Sequence, residues 1–287
     1  MNVLSLFDGI SCGRLALERA DIKIDNYYAS EIDKYAIQVA YNNYHDIIQL
    51  GDVVNVKGSN LLKIDLLIGG SPCQGFSFAG KQLNFDDPRS KLFFEFVRLK
   101  NECNPKYFLL ENVDMKSEYQ DIISNYLNVK PIIINSNLVS AQNRKRLYWT
   151  NIPIKNLPID KKLLIKDIRL DCAKTSHRNI DNFKQRKTTN YIQFDPKDKG
   201  NNSYDARVYF NDKKFGTLRA SGNVNYIFCC NGNIRRMHPI EWERLQTLPD
   251  NYTNCVSNSQ RYKLIGNGWT VDIISHIFSF IKDEFNL

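Results

Sequence analysis

The stretch Val3-Leu4-Ser5-Leu6-Phe7-Asp8-Gly9-Ile10-Ser11-Cys12-Gly13 is a mostly apolar run that closes on an acid–glycine turn and reopens into a helical pattern. Val3 to Phe7 reads as a buried strand, Asp8-Gly9 as the turn, and Gly13 to about Ala20 as a helix. The same unit then recurs. Tyr27 to Ser30 reads as a second strand and Asp33 to Tyr41 as a helix, while Ile47 to Leu50 and Ile64 to Ile68 read as strands three and four. Tyr107 to Leu110 is the fifth, and Ile132 to Ile134 and Leu147 to Trp149 are the last two. Strands alternating with helices at this spacing predict parallel pairing through crossovers, hence an α/β, doubly wound, Rossmann-like sheet. Ligands are then expected beyond the carboxyl ends of the strands.

After Trp149 the texture changes. From 151 to 234 the chain is rich in Lys, Arg, Asn and Asp, and periodicity fades; regular apolar patterning returns at Pro239, and Val271 to Phe285 reads as a final helix. The expected organisation is a main domain at 1–150, a smaller inserted domain at 151–234, and a segment at 235–287 that completes the main domain. With 43% hydrophobic and 24% charged residues in 287, the chain has the composition of an ordinary globular protein. The net charge of +8 suits a polyanionic partner. Seven cysteines without a CxxC pair argue against a disulfide framework and a structural zinc site, so no metal is expected. The first residues carry no cationic leader, and no apolar run approaches the roughly 20 residues of a membrane span. A cytoplasmic protein without membrane contact is the expectation.

Candidate ligand-binding residues gather at the predicted strand ends. Gly9 and Gly13 allow close approach of a ligand to the first turn, and helix N-terminal amides suit an anionic group. Glu31 follows strand two, where an acid can accept both ribose hydroxyls, and Asp52 follows strand three, placed for the amine of an adenine. A nucleoside-containing cofactor is favoured. Gly69-Gly70-Ser71-Pro72-Cys73-Gln74-Gly75-Phe76-Ser77 follows strand four and sets a thiol in a loop above the sheet. Glu111-Asn112-Val113 follows strand five, the expected neighbour of strand four. On a strand, Gln142, Arg144 and Arg146 would share one face.

Phe7-Asp8-Gly9, Ser71-Pro72-Cys73-Gln74, Glu111-Asn112-Val113, Gln142-x-Arg144-x-Arg146 and Gly266-Asn267-Gly268 stand in the order of the motifs of the DNA cytosine-5 methyltransferases. The chain resembles that family throughout except over 151–234. It is most similar to compact bacterial and phage members, and Ile265 to Val271 resembles the tail of the mammalian de novo group. One departure is Ser11, which stands where the common pattern has glycine. The resemblance implies S-adenosylmethionine as methyl donor, with S-adenosylhomocysteine as product. It assigns Phe7 to pack on the cofactor and Gly9 and Gly13 to the binding turn. Glu31 falls to the ribose, Ile32 to the adenine face and Asp52 to the adenine amine, with Val53, Pro72, Leu92, Asn267 and Gly268 completing the pocket. Cys73 becomes the nucleophile that adds to cytosine C6, and Glu111 the group that meets N3 and the amino group. Arg146 falls to the cytosine O2, and Arg144 to holding Glu111.

A thiol cannot reach C6 inside a stacked duplex, so the target base must be flipped out. The basic 151–234 module resembles the family's target-recognition domain, with Thr217-Leu218 as its Thr-Leu pair. Gln74, Ser77, Gln142, Thr217 and Arg219 are the expected DNA-binding residues, on double-stranded DNA. The expected state is a monomer, and a cognate restriction endonuclease is the partner such an enzyme can have. Three rivals compete. An RNA cytosine-5 methyltransferase acting on tRNA has the same chemistry but no evident need for a dedicated basic insert. An inactive DNA-binding regulator would have no use for Cys73 with Glu111, Arg144 and Arg146. A nicotinamide-dependent dehydrogenase would carry a complete glycine fingerprint.

Overall fold

The computed structural model describes residues 1–71, 88–170, 177–178, 184–195, 207–220, 226–228 and 234–285. By its contacts the chain divides into two units. Met1–Asn135, Lys145–Pro158 and Val271–Leu287 make the first, and Ser136–Arg144 with Ile159–Thr270 the second.

The first unit begins with β1 (Asn2–Leu6), α1 (Cys12–Arg19), β2 (Asn26–Ser30), α2 (Lys34–Asn43), β3 (Ile47–Gln49) and β4 (Leu66–Gly69). It continues through α3 (Pro88–Cys103), β5 (Tyr107–Val113), α4 (Ser117–Leu127), β6 (Ile132–Asn135) and β7 (Lys145–Thr150). The seven strands form one sheet in the order β3-β2-β1-β4-β5-β7-β6. Pairing is parallel from β3 to β5. β7 runs antiparallel between β5 and β6. The doubly wound α/β sheet is therefore as expected, with one reversed strand. The strand order switches direction at β1, which pairs with β2 on one side and β4 on the other. This is where such sheets open a crevice at their carboxyl ends.

The central strands are buried almost end to end, as strands covered on both faces must be. Leu4, Leu6, Leu67, Phe93, Phe96, Phe108, Leu110 and Trp149 belong to the main core cluster. The last segment returns to this unit as α8 (Val271–Phe278), a 3-10 turn at Ser279–Ile281 and α9 (Lys282–Phe285). The single helix expected over Val271–Phe285 is thus three short pieces. By length and composition Asn258–Phe285 could cross a membrane. It is divided among separate elements, however, and Val271, Ile273, Ile274, Ile277 and Phe278 of α8 are spent on the core.

The second unit contains α5 (Ile165–Ile168), β8 (His177–Arg178), β9 (Lys184–Lys187), β10 (Tyr191–Asp195), β11 (Arg207–Tyr209), β12 (Tyr226–Phe228) and β13 (Ile234–Arg236). These strands form a second sheet, β8-β13-β12-β11-β10-β9, antiparallel except between β11 and β12. Strands of two to five residues are too short for an alternating pattern to be read, which is why periodicity fades over this part of the sequence. α6 (Pro239–Leu245) and α7 (Asn258–Asn267) complete the unit. α6 starts on a capping box in which the His238 ring accepts from Ile240 N and Glu241 reaches back to His238 N.

Candidate active site

The turn between β1 and α1 is wound tightly. Phe7, Gly9 and Ser11 all have positive φ, at 57°, 60° and 58°. Ser11, which replaces the expected glycine, thus holds the left-handed conformation that glycine adopts most easily. A Cβ on Gly9 would meet nothing nearer than the Phe7 carbonyl at 4.0 Å, so space is open beside this backbone. Phe7 is partly buried against the core, and Gly13 lies buried in the first turn of α1.

At the end of β2, Glu31 is fixed by backbone amides. Its Oε2 accepts from Gly9 N, and its Oε1 from Ile32 N and Asp33 N, each at 2.8 Å. Ile32 beside it is 74% exposed, an aliphatic side chain standing open next to a locked carboxylate. At the end of β3, Ser30 Oγ donates to Gly51 O at 2.7 Å and draws the two strand ends together. Asp52 accepts from Val54 N and caps the short turn Val53–Asn55. Val53 is 4% exposed and belongs to the core, so it supports this turn from below. Leu92 of α3 is also partly buried against that core. Two acids, Glu31 and Asp52, and the open aliphatic side chain of Ile32 thus stand at consecutive strand ends, residue types that could hold a nucleoside.

At the end of β5, Arg146 Nε pairs with Glu111 Oε1 at 2.9 Å, both side chains being only about a tenth exposed (12% and 11%). They face each other because β7 runs antiparallel beside β5, with Val113 opposite Arg146. Asn112 Nδ2 donates to Ser71 Oγ at 3.2 Å, tying the end of β5 to the residue that precedes Pro72 and Cys73. Pro72, Cys73, Gln74 and Ser77 lie outside the described residues.

The arginine series does not form one strand face. β7 begins at Lys145, so Arg146 is on the strand, while Gln142 and Arg144 belong to the second unit. There Arg144 donates to the carbonyls of Leu218, Gly266 and Gly268 at 3.0 to 3.2 Å. Gln142 is fully buried. Its amide donates to Leu245 O and Gln246 Oε1 and accepts from Leu218 N. These bonds tie Gln142 to Leu218, Leu245 and Gln246 within the second unit, and its expected part in DNA binding is carried forward as a candidate role. Thr217 is exposed and donates to Asn143 O, and Arg219 is exposed two residues on. Asn267 is the exposed last residue of α7, and Gly268 is its cap.

Sequence reasoning passed over three residues. Asp8 was only a turn former, yet it is a buried hydrogen-bonding centre. Asn112 had no role beyond its motif. Gln246 is a hub that donates to Ile265 O and Gly268 O and accepts from Thr270 and Gln142. Its only signal was a polar residue closing the apolar pattern of Trp242 and Leu245.

A family model described as C-5 cytosine-specific DNA methylase matches residues 1–283. The chain belongs to this family. The methylase is accordingly a DNA cytosine-5 methyltransferase, and the family implies S-adenosylmethionine as its donor. It is 32% identical to the type II methyltransferase M1.ScrFI of Lactococcus lactis subsp. cremoris, over 96% of this chain and 76% of that one. It is 29% identical to the type II methyltransferase M.HhaI of Haemophilus parahaemolyticus, over 100% and 95%. Among solved structures, a putative DNA modification methyltransferase encoded within an E. coli prophage superposes with a TM-score of 0.71 at 21% identity, covering both chains fully. The S. pombe Dnmt2 methyltransferase does so at 0.73 and 17%, again over the whole of both. The last two likenesses concern the fold of the methylase.

Proposed function

We propose that the methylase acts on a specific sequence in duplex DNA, on a cytosine flipped out of the stack, through a covalent bond between Cys73 Sγ and C6. The observation that carries this reading is the Arg146–Glu111 pair at the end of β5, joined by Asn112 to Ser71 just before Cys73. Cytosine C5 is a weak nucleophile. Addition of the Cys73 thiolate to C6 turns the ring into an enamine whose C5 is electron-rich. Glu111 would bond N3 and the amino group and stabilise the proton that N3 takes up. With its Nε on Glu111, Arg146 would hold that carboxyl in place and direct its remaining donors to O2. When bound, S-adenosylmethionine supplies a methyl group made electrophilic by the sulfonium. Loss of the C5 proton and cleavage of the Sγ–C6 bond then free Cys73.

Glu31, Ile32 and Asp52 would seat the adenosine at the ends of β2 and β3, with Phe7, Gly9 and Gly13 at the turn and Pro72 and Leu92 nearby. Asn267 and Gly268 remain cofactor candidates from the motif resemblance, and Arg144 would brace the Thr217–Arg219 segment. The second unit would act as target-recognition domain. Thr217 and Arg219 are its exposed candidates for DNA contact and Gln142 its buried one, while Gln74 and Ser77 are candidates from the motif loop. The enzyme would act as a cytoplasmic monomer, with a cognate restriction endonuclease as its natural counterpart.

The experiment incubates wild type and Cys73→Ala with tritiated S-adenosylmethionine and duplex DNA, followed by base-resolution methylation sequencing. Methylcytosine in one short context, lost in the variant, is the expected result. Label incorporated into tRNA and not into duplex DNA would overturn the proposed substrate.

A further inference from the structure

Asp8 stands between Phe7 and Gly9 and is buried. Three hydroxyls converge on its carboxylate. Ser5 Oγ and Tyr27 OH donate to Oδ1 at 2.6 and 2.8 Å, and Ser11 Oγ donates to Oδ2 at 2.5 Å. Buried carboxylates are normally matched by a cation. Among the described residues, the groups bonded to Asp8 are neutral hydroxyls, and the charge that acts on it is a like charge, Glu31. Tyr27 of β2 is the other titratable group in contact with it. The cations of α1 are engaged elsewhere, Arg14 with Asp46 and the Tyr44 ring, and Arg19 with Asp272 of α8. Among the described residues, then, Asp8 is bonded to no cation, and it adjoins the open backbone of Gly9.

We propose that Asp8 is a charge-selective residue of the cofactor turn, favouring the sulfonium-bearing donor over the neutral thioether product. The inference rests on the seating of the donor at this turn proposed above. Donor and product share adenosine and an amino-acid tail and differ by one methyl group and one positive charge. In a site of low dielectric a single charge is felt strongly by a neighbouring carboxylate. The coupling is reciprocal: if ionised Asp8 favours the donor, the donor must favour ionised Asp8. Burial pushes the Asp8 carboxyl from its ordinary 3.8 up to about 6, against the pull of its three hydroxyl partners, and Glu31 adds to the rise. Below that value Asp8 is neutral and does not distinguish the two ligands. Above it Asp8 is an anion and holds the donor more tightly.

The test measures the dissociation constants of S-adenosylmethionine and S-adenosylhomocysteine by calorimetry at pH 5.0 and 7.0. If the donor requires the ionised form, its affinity drops about tenfold at the lower pH, while that of the product changes by less than about twofold. Asp8→Asn should flatten the donor's profile. Tyr27→Phe, which removes one donor to the carboxylate, should shift its midpoint upward. In protein labelled with 13C-aspartate, the donor and not the product should lower the Asp8 titration midpoint. Parallel weakening of both ligands in wild type, or an unchanged profile in both variants, overturns the proposal. Absence of binding of either ligand at pH 7.0 overturns it by removing the cofactor reading beneath it, which tells the two failures apart.

Discussion

At the scale of single residues, the proposed chemistry turns on a few side chains whose surroundings are already built. Glu111 is held by Arg146 at 2.9 Å, away from bulk water. Glu111→Gln keeps the shape but removes the acid. We expect kcat to fall about 100- to 10,000-fold, with the affinity for S-adenosylmethionine unchanged, as single-turnover kinetics and calorimetry would show. Arg146→Lys keeps the charge and loses the planar fork, so it should cost activity as well. Asp8 gives a stability prediction of definite sign. Its folded-state carboxyl titrates near 6 against 3.8 when unconstrained, so the folded chain holds the proton more tightly than the unfolded one. Asp8 therefore favours the folded state most at low pH, and this contribution is lost as pH rises through the window from about 4 to 6. Relative to Asp8→Asn, wild type should lose about 2 kcal/mol between pH 4.5 and 7.5 in urea unfolding.

At the scale of elements, the second unit is held by polar clasps. Arg235 and Glu241 are fully buried and bonded at 2.6 and 2.7 Å, and Glu241 also accepts from His238 N and Leu170 N. One carboxylate thus joins β13, the start of α6 and the segment after α5. Glu241→Gln would leave a buried guanidinium without its counter-charge, and we expect a loss of about 3–5 kcal/mol on denaturant unfolding. Replacing both partners by apolar residues should not restore the full stability, because two backbone amides would lose their acceptor. α7 meets the Thr217–Ala220 segment just as closely. A Cβ on Gly266 would lie 2.6 Å from the carbonyl carbon and oxygen of Arg219, which explains why glycine stands there.

At the scale of the whole molecule, the charge of +8 bears on binding more than on fold. Affinity for duplex DNA should fall about a thousandfold or more between roughly 50 and 200 mM salt if six or more phosphates are contacted. Fluorescence anisotropy across that range measures the slope, and a flat response would rule out a phosphate-led interface. The sequence by itself determined the seven-stranded α/β sheet and the family. Buried strands such as Leu66–Gly69 and the acid–glycine turn at Asp8-Gly9 are set by local composition, and short motifs are legible wherever they stand in the chain. Tertiary structure alone decided the rest. That Arg146 lies on a strand beside Glu111 while Arg144 and Gln142 turn inward follows from where β7 begins. That 235–270 groups by its contacts with the second unit follows from hydrogen bonds spanning scores of residues, such as Gln142 to Leu245 and Arg144 to Gly266. The burial that raises the Asp8 carboxyl has the same origin: it depends on which distant groups exclude water, and no local pattern encodes that.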